Sequence, residues 1–402
     1  MTTYKHLQRT KEVSSDTPGR RGLLDNLRGS LRPLGLFTVS RIAVALVVLA
    51  VVRLDVGMST SRFAGPWPNP PNAPRFFQAL SSWDASWYLL IAQHGYFFSA
   101  TKPPIAPQTQ IAFFPLWPYT IRWVSAATGL SLAGTGVALA FIFGALASVG
   151  LWYLVKELCD DPTAYRSVAL WVFLPGSLVL SMAYSEGLLV LCSSVCLLAL
   201  LREKWAVAGL AAALATGTHP EGLALIACCA WSSLQAVGRH RQWRSLVAPL
   251  FSTLGVLAFF SYLDVRTGDF LRWFHVERRI WQSGNGLFHD TVYTMGRAIT
   301  HPSDLQVLIP GLGILFTILG FVLMVRWRPP VIIWLYTVAI VVFSLGSDQV
   351  GIRPRVLLVA FPLTVAIARV LKQDLLAPLV GLFGAILATL TFLVLTLVVV
   401  SP

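Results

Sequence analysis

Long apolar runs separated by short polar or basic turns make up most of the chain after residue 33. Runs such as 42–52 and 375–400 contain no charged residue, and about 20 apolar residues are enough for a helix to cross a bilayer. After a first run at 34–54, the pattern predicts spans near 132–155, 165–181, 185–201, 205–218, 220–236, 246–263, 304–325, 331–346, 353–370 and 378–400. The predicted fold is therefore an all-α polytopic membrane protein with about 11 transmembrane helices.

Two stretches interrupt this pattern and predict loops outside the membrane, at about 55–131 and 264–303. In the first loop, 82–98 has apolar side chains at helical spacing, which is typical of an amphipathic helix on the membrane surface. Prolines and Arg122 within 111–128 favour a re-entrant or surface segment there, although a full crossing stays open. The second loop mixes aromatic and basic residues, as either a lid over a lipid phosphate or a solvated amphipathic helix would.

Composition excludes an ordinary soluble enzyme, since 55% of the residues are hydrophobic and only 12% are charged. The formal net charge of +13 would favour a nucleic-acid partner in a soluble protein, but here it indicates membrane orientation. We expect residues 1–33 to form an unstructured basic tail in the cytoplasm and 34–402 to form one transmembrane domain. The basic turns at 202–204, 239–244, 326–328 and 369–372 are expected on the same side, in a plasma-membrane protein. Arg41 lies near the inner end of the first span, where its side chain is expected to snorkel to the interface.

The five cysteines indicate neither a disulfide framework nor a metal site. Four of them lie in apolar runs, where a free cysteine behaves as a small hydrophobic side chain. No His, Cys and carboxylate spacing is typical of a metal site, so the sequence requires no cofactor. A divalent ion stays open but is not indicated.

Four polar clusters fall on the outer side of the predicted topology, at 83–88, 184–187, 218–222 and 347–355. Ionisable residues at membrane depth are costly and usually line a cavity or a functional path. Carboxylates, a histidine and arginines beside a tryptophan-rich loop favour a site for a polar, sugar-like substrate that carries a phosphate.

Asp84 is the leading candidate for a catalytic group in these clusters. Trp83 and Trp87 flank it, so partial desolvation is expected to raise its basicity, and the indole faces can stack on sugar rings. A carboxylate of this kind can take a hydroxyl proton as that oxygen attacks an anomeric carbon. The local pattern alone favours the simpler interpretation of a helix-start Asp beside interfacial tryptophans.

The other polar candidates have two interpretations each. Arg353 and Arg355 can bind one phosphate with their guanidinium groups or snorkel at the interface, and Asp348 can pair with either of them. Glu186 and Glu221 can each stabilise a helix N-terminus through the helix dipole or contact the substrate. His219, at a break between two spans, can contact a phosphate or have a structural role.

The residues 83–96 (WDASWYLLIAQHGY) and 112–118 (AFFPLWP) resemble the PIG-V family, which is the GPI mannosyltransferase 2 family with its bacterial relatives. Tyr184-Ser185-Glu186 and Pro220-Glu221-Gly222 follow in matching order. Arg353-Pro354-Arg355 with Ala360-Phe361-Pro362 is similar to a late motif of that family. The resemblance covers roughly 42–363.

The resemblance implies a GT-C glycosyltransferase of the bacterial type, with its site facing away from the cytoplasm. Its donor would be a polyprenyl-phosphate sugar, typically mannose, and its acceptor a lipid-linked or cell-envelope glycan. Asp84 would be the general base of an inverting transfer. The donor phosphate would contact Arg353, Arg355 and His219, and the substrates would contact Trp83, Trp87, Tyr88, Tyr96, Tyr184, Glu186 and Glu221.

Some positions depart from the family pattern. The link 97–111 is longer and has no acid, and His219 stands where many members have an arginine. Another polyprenyl-phosphate sugar, such as arabinose or glucose, therefore stays open as the donor. A lipid-glycan transporter or flippase is the alternative from a different class, which the absence of an obvious internal repeat disfavours.

Overall fold

The structure is a computed structural model that describes residues 20–56, 74–97, 108–280, 289–345 and 353–396, without the side chains of 20–28, 289 and 290. The first nine helices are α1 (Arg20–Leu54), α2 (Arg75–Ala79), α3 (Asp84–His94), α4 (Leu116–Thr128), α5 (Leu132–Leu158), α6 (Asp161–Phe173), α7 (Glu186–Leu201), α8 (Trp205–Thr218) and α9 (Ala224–His240). The others are α10 (Val247–Ser252), α11 (Leu254–Thr267), α12 (Arg272–Arg279), α13 (His289–Thr300), α14 (Leu305–Trp327), α15 (Val331–Leu345), α16 (Pro354–Val359), α17 (Phe361–Val370) and α18 (Gln373–Thr396). Short 3-10 segments cover Thr109–Ala112, Pro175–Ser181, Pro220–Leu223 and Trp243–Leu246. These described ranges contain no strand, as the sequence predicts.

Within the described ranges, five helical stretches are long and apolar enough to cross a membrane, namely Gly29–Leu54, Leu132–Leu158, Pro220–His240, Leu305–Trp327 and Gln373–Thr396. Two bent pairs raise this number to seven if each pair is one span, with bends of 76° after Phe173 and 42° after Ser252. Four shorter apolar helices, α7, α8, α15 and α17, occupy other predicted spans. The predicted total of about 11 spans counts these short helices as full crossings. Each of them rises less than about 25 Å, against about 30 Å for the hydrocarbon core.

The first helix begins before the predicted boundary at residue 34. Helix α1 starts at Arg20 and continues through Pro33 to Leu54. Residues 20–33 are therefore helical and not an unstructured tail. Residues 1–19 of the predicted tail lie outside the described residues.

Helix α3 is a core helix, whereas its side-chain spacing predicts a helix on the membrane surface. Its residues from Ala85 to Ala92 are all buried. Their polar groups are satisfied internally, since Ser86 Oγ donates to the Trp83 carbonyl and Tyr88 Oη bonds to Ser185 Oγ. A helix that is apolar on all sides is buried on all sides, and the tyrosine and serine do not form a polar stripe.

Helix α4 is too short to cross the membrane. Its 13 residues rise about 20 Å, against about 30 Å for the hydrocarbon core. Its buried face consists of Trp117, Pro118 and Ile121, whereas Trp123 is 63% exposed. This amphipathic helix agrees with the predicted re-entrant or surface segment at 111–128.

Arg41 is buried, with 4% of its surface exposed, and does not snorkel as predicted. Its guanidinium donates to the carbonyl of Val172 at 2.9 Å and to the carbonyl of Ser177. It also donates to the hydroxyls of Ser177 and Ser181 at 2.8 and 3.1 Å. The helix break between α6 and Pro175–Ser181 leaves backbone carbonyls without helical partners, and Arg41 satisfies them from α1.

The cysteines have the predicted role in packing. Cys192, Cys196, Cys228 and Cys229 are buried free thiols, and the Sγ atoms of Cys196 and Cys229 lie 3.8 Å apart. Cys196 and Cys229 thus meet between α7 and α9, and Cys228 Sγ donates to the carbonyl of Ile332 in α15 at 3.4 Å.

In the second outer loop, helix α12 packs over the first loop. Its Trp273 and Val276 are buried, and Trp273 Nε1 donates to the carbonyl of Ala112 at 3.1 Å. The described part of this loop thus contains the docked helix α12 and also α13, on which Val292 and Ile299 are exposed. Residues 281–288 lie outside the described residues.

Candidate active site

Arg355, in the first turn of α16, joins three of the four predicted polar clusters. Its guanidinium forms an ion pair with the carboxylate of Asp84, the first residue of α3. Its Nη1 atom also lies 3.9 Å from Oε1 of Glu186, the first residue of α7. The same guanidinium lies 5.7 Å from the ring centroid of Tyr184. The structure therefore brings an arginine, two carboxylates and a tyrosine into one cluster.

Tyr184 fixes the start of α3 in this cluster. Its hydroxyl accepts a hydrogen bond of 3.1 Å from the backbone N–H of Asp84, which is one of the unpaired amides at a helix N-terminus. Tyr184 is fully buried, so this contact is shielded from solvent. Its role in the structure is to hold the backbone of the candidate base.

The residue before Asp84 has a strained backbone. Trp83 has φ of 60°, which L-residues with bulky side chains rarely adopt. The conformation is held by the indole, which donates to the carbonyl of Val394 in α18 at 3.3 Å. Such strain costs about 1–3 kcal/mol and tends to occur at functional sites.

Glu186 is the most deeply buried carboxylate of the cluster. Its side chain is 3% exposed, and its Oε2 atom has no hydrogen-bond partner among the described residues. Its neighbour Ser185 bonds to Tyr88 at 3.0 Å, which links α7 to α3. Because Arg355 is the cation in contact with Glu186, the stability of this site depends on Arg355.

His219 and Glu221 lie at the helix break between α8 and α9. The Nδ1 atom of His219 accepts a hydrogen bond of 3.4 Å from the backbone N–H of Glu221 and lies 3.7 Å from its Oε2 atom. A tight backbone approach forms this turn, since a Cβ on Gly222 would lie 2.8 Å from the amide nitrogen of Thr216. The break therefore presents an imidazole and a carboxylate side by side.

The pKa of Asp84 is lowered by its charged neighbours, whereas the sequence predicts that desolvation raises it. Burial by itself would raise the pKa of Asp84, but the positive charges of Arg355 and Arg353 outweigh it and hold this pKa below its usual value. The predicted increase in basicity is therefore wrong for the ion-paired carboxylate. Burial and the charge of Arg355 also lower the pKa of Arg353 to about 10, which leaves it protonated at neutral pH.

His219 is a neutral side chain in this environment. Burial and the charge of Arg355 lower its pKa to about 3. This agrees with Nδ1 acting as a hydrogen-bond acceptor, and the predicted contact of His219 with a donor phosphate would be that of a neutral side chain. A neutral imidazole can still donate a hydrogen bond from Nε2.

Two of the predicted substrate residues lie in the packed interior. The ring of Trp87 is buried and stacks on Phe113 with 5.8 Å between centroids. Tyr96 is fully buried, and its hydroxyl donates to the carbonyl of Phe113 at 2.6 Å. Both residues therefore contact Phe113, Trp87 through its ring and Tyr96 through its hydroxyl. Asp348 lies outside the described residues.

Sequence reasoning assigned no role to Ser185 or to the glycine that packs behind Arg355, Gly176. The sequence signal for the latter was the Pro-Gly pair at 175–176, which interrupts an apolar run. Among the described residues, no group of three or more His, Cys, Asp or Glu side chains is arranged to hold a metal ion.

Most of this cluster lies in a part of the chain that matches a known protein family. Residues 69–247 match the family model for mannosyltransferase (PIG-V). The match supports PIG-V family membership and a membrane glycosyltransferase that transfers mannose from a sugar donor to an acceptor. The PIG-V match includes Asp84, Tyr184, Glu186 and His219, whereas Arg355 lies beyond its end. No curated protein matches the chain.

Proposed function

We propose that this protein is a GT-C mannosyltransferase that uses polyprenyl-phosphate mannose as donor and a lipid-linked or cell-envelope glycan as acceptor. The observation that carries the proposal is the contact of Arg355 with both Asp84 and Glu186, two carboxylates within the PIG-V match. An arginine pair suits a lipid-linked phosphate, and a carboxylate beside it suits the hydroxyl that attacks. The match to a mannosyltransferase favours an enzyme over a lipid-glycan transporter.

In the proposed reaction, the acceptor hydroxyl oxygen attacks C1 of mannose and its proton passes to the carboxylate of Asp84. The bond between C1 and the phosphate oxygen breaks, and polyprenyl phosphate leaves with the electron pair of that bond. Arg353 and Arg355 stabilise the charge that develops on the phosphate. A single displacement inverts C1 and converts a β-linked donor into an α-mannoside.

The ion pair of Asp84 with Arg355 suggests how the donor activates the base. A donor phosphate competes with Asp84 and Glu186 for the guanidinium of Arg355. Once Arg355 turns to the phosphate, Asp84 loses the neighbouring charge that depresses its pKa, and its basicity rises. Asp84 would then accept a proton most readily when the donor is bound.

The proposed orientation places the N-terminus in the cytoplasm of a plasma-membrane protein and the site on the outer face. Basic residues at helix ends support it, since Arg202, Arg241, Arg328 and Arg369 end or follow α7, α9, α14 and α17. The candidate site lies at the start of α7, the opposite end from Arg202, where α3 and α16 also start. We propose no cofactor.

The direct test is Asp84→Asn in membranes that contain the variant at the wild-type level. Labelled polyprenyl-phosphate mannose and endogenous acceptor should give no mannosylated product, because the amide cannot take the hydroxyl proton. Asp264→Asn is the matched control, since Asp264 is exposed on α11 and should retain transfer. Transfer by Asp84→Asn at the control rate would contradict the proposal, and competition by the glucose or arabinose donors would identify a different sugar.

A further inference from the structure

The backbone of Pro354–Arg355 lies directly against Gly176 in the 3-10 segment Pro175–Ser181. A Cβ on Gly176 would lie 2.7 Å from the amide nitrogen of Arg355 and closer still to the carbonyl oxygen of Pro354. Side-chain atoms do not approach backbone so closely, so any larger residue would displace this segment. The requirement for glycine is therefore spatial, and it concerns the backbone that carries Arg355.

The 3-10 segment is itself held by Arg41 of α1. The guanidinium bonds both to Val172 before the helix break and to Ser177 and Ser181 after it. Ser177 Oγ in turn donates to the carbonyl of Val172 at 2.8 Å. Five donors in a rigid planar fork suit this task, and the ammonium group of a lysine cannot reproduce their geometry.

A second contact fixes α16 to the same part of the fold. The indole Nε1 of Trp171, in the last turn of α6, donates to the carbonyl of Leu358 at 2.9 Å. Gly176 thus meets the start of α16 and Trp171 meets its end. The direction of α16, and with it the position of Arg355, follows from the bend after Phe173.

We propose that Gly176 and Arg41 are positioning residues that set the guanidinium of Arg355 between Asp84 and Glu186. Neither residue touches the reacting atoms. Arg41 holds the bent segment, and Gly176 lets the Arg355 backbone approach it. The proposal rests on the proposed function in that its kinetic readout is mannosyl transfer.

The kinetic test is Gly176→Ala in the full-length protein. The added Cβ should displace the backbone of Arg355, and a displacement of about 1 Å at an active site can lower kcat/KM roughly a hundredfold. Removing the Arg355 charge from Asp84 should also move the acid limb of the pH–rate profile to higher pH, which a general loss of folded enzyme would not do. Ser177→Ala removes one acceptor of Arg41 without a clash, so it should give a smaller shift in the same direction.

Gly209→Ala is the matched control. A Cβ at Gly209 would lie 2.8 Å from Cβ of Phe251, so this change also crowds a helix contact, but between α8 and α10, which do not carry Arg355. It should lower thermal stability and leave the pH–rate profile unchanged. An equal shift of the acid limb in Gly209→Ala would overturn the proposal.

Thermal melting supplies a readout that does not depend on mannosyl transfer. Gly176→Ala should lower the melting temperature less in an Arg355→Gln background than in the wild type, because both changes disrupt the same contacts. Additive effects would overturn the proposal. If the melting effects are non-additive but the pH–rate profile does not shift, Gly176 does position Arg355, and Asp84 is not the general base. Failure of the positioning proposal can therefore be told apart from failure of the proposed function.

Discussion

Replacing Arg355 with glutamine should destabilise the protein through Glu186. The Nη1 atom lies 3.9 Å from Oε1 of Glu186, and at an effective dielectric constant of 20 this separation corresponds to about 4 kcal/mol. Breaking a buried ion pair by removing one partner typically costs about 3–5 kcal/mol. We therefore expect Arg355→Gln to lower the free energy of unfolding by about 3–5 kcal/mol in alkaline solution, where Glu186 is ionised, and by less at neutral pH, where a buried carboxylate without a cation takes up a proton.

The assay uses the cysteines of the protein itself. Four of them are buried free thiols, so a thiol-reactive fluorescent dye labels them as the protein unfolds in detergent. The double variant Arg355→Gln with Glu186→Gln should recover most of the lost stability, because the deeply buried Glu186 no longer carries a charge. Asp84 also loses Arg355, but its side chain is 21% exposed and solvent can screen its charge. Glu186→Gln alone should be less destabilising than Arg355→Gln.

Activity should not recover with stability. In the double variant Asp84 still lacks its cation, so its pKa rises and the acid limb of mannosyl transfer moves to higher pH than in the wild type. A stabilising role of Arg355 toward Glu186 would be refuted if Arg355→Gln melted like the wild type, or if Glu186→Gln failed to restore stability to it. A wild-type acid limb in the double variant would refute the role of Arg355 in setting the pKa of Asp84.

Two further predictions concern positions around the site. The pKa of His219 is about 3 in the folded protein, below its unfolded value of about 6.5, so its contribution to stability is complete above pH 6.5 and is lost as pH falls toward 3. The melting temperatures at pH 7 and pH 5 should therefore differ less in His219→Gln than in the wild type, and an unchanged difference would contradict this. A Cβ on Gly255 would lie 2.6 Å from the hydroxyl of Thr216, so Gly255→Ala should cost about 1–3 kcal/mol in chemical unfolding. Gly238→Ala, where nothing lies within 4 Å, should cost nothing, and equal losses would refute the packing argument.

Properties that depend on neighbouring residues were predictable from the sequence. Apolar runs and their turns predicted an all-helical membrane protein, and the motif at 83–96 predicted the PIG-V family, which the family match supports. Both signals are local in the sequence. A helix forms from contacts between residues three and four apart, and the motif is a single contiguous stretch. The prediction that polar clusters on one side converge also agrees with the contacts of Arg355.

The buried position of Arg41 could not be predicted from the sequence around it. An arginine in an apolar run normally reaches for the interface, because an unpaired charge in hydrocarbon is costly. Here carbonyls released by the bend after Phe173 provide buried partners instead. The bend depends on packing between helices, so the sequence around Arg41 carries no sign of it.

The same limit applies to the charge state of the site. Composition, periodicity and a contiguous motif were enough to predict the fold class, the resemblance to the PIG-V family and Asp84 as the candidate base. Only the tertiary structure decided that Asp84 is ion-paired, because Arg355 lies 271 residues away along the chain. Desolvation and a neighbouring charge act in opposite directions on a carboxylate, and which of them prevails depends on distances that only the folded chain defines.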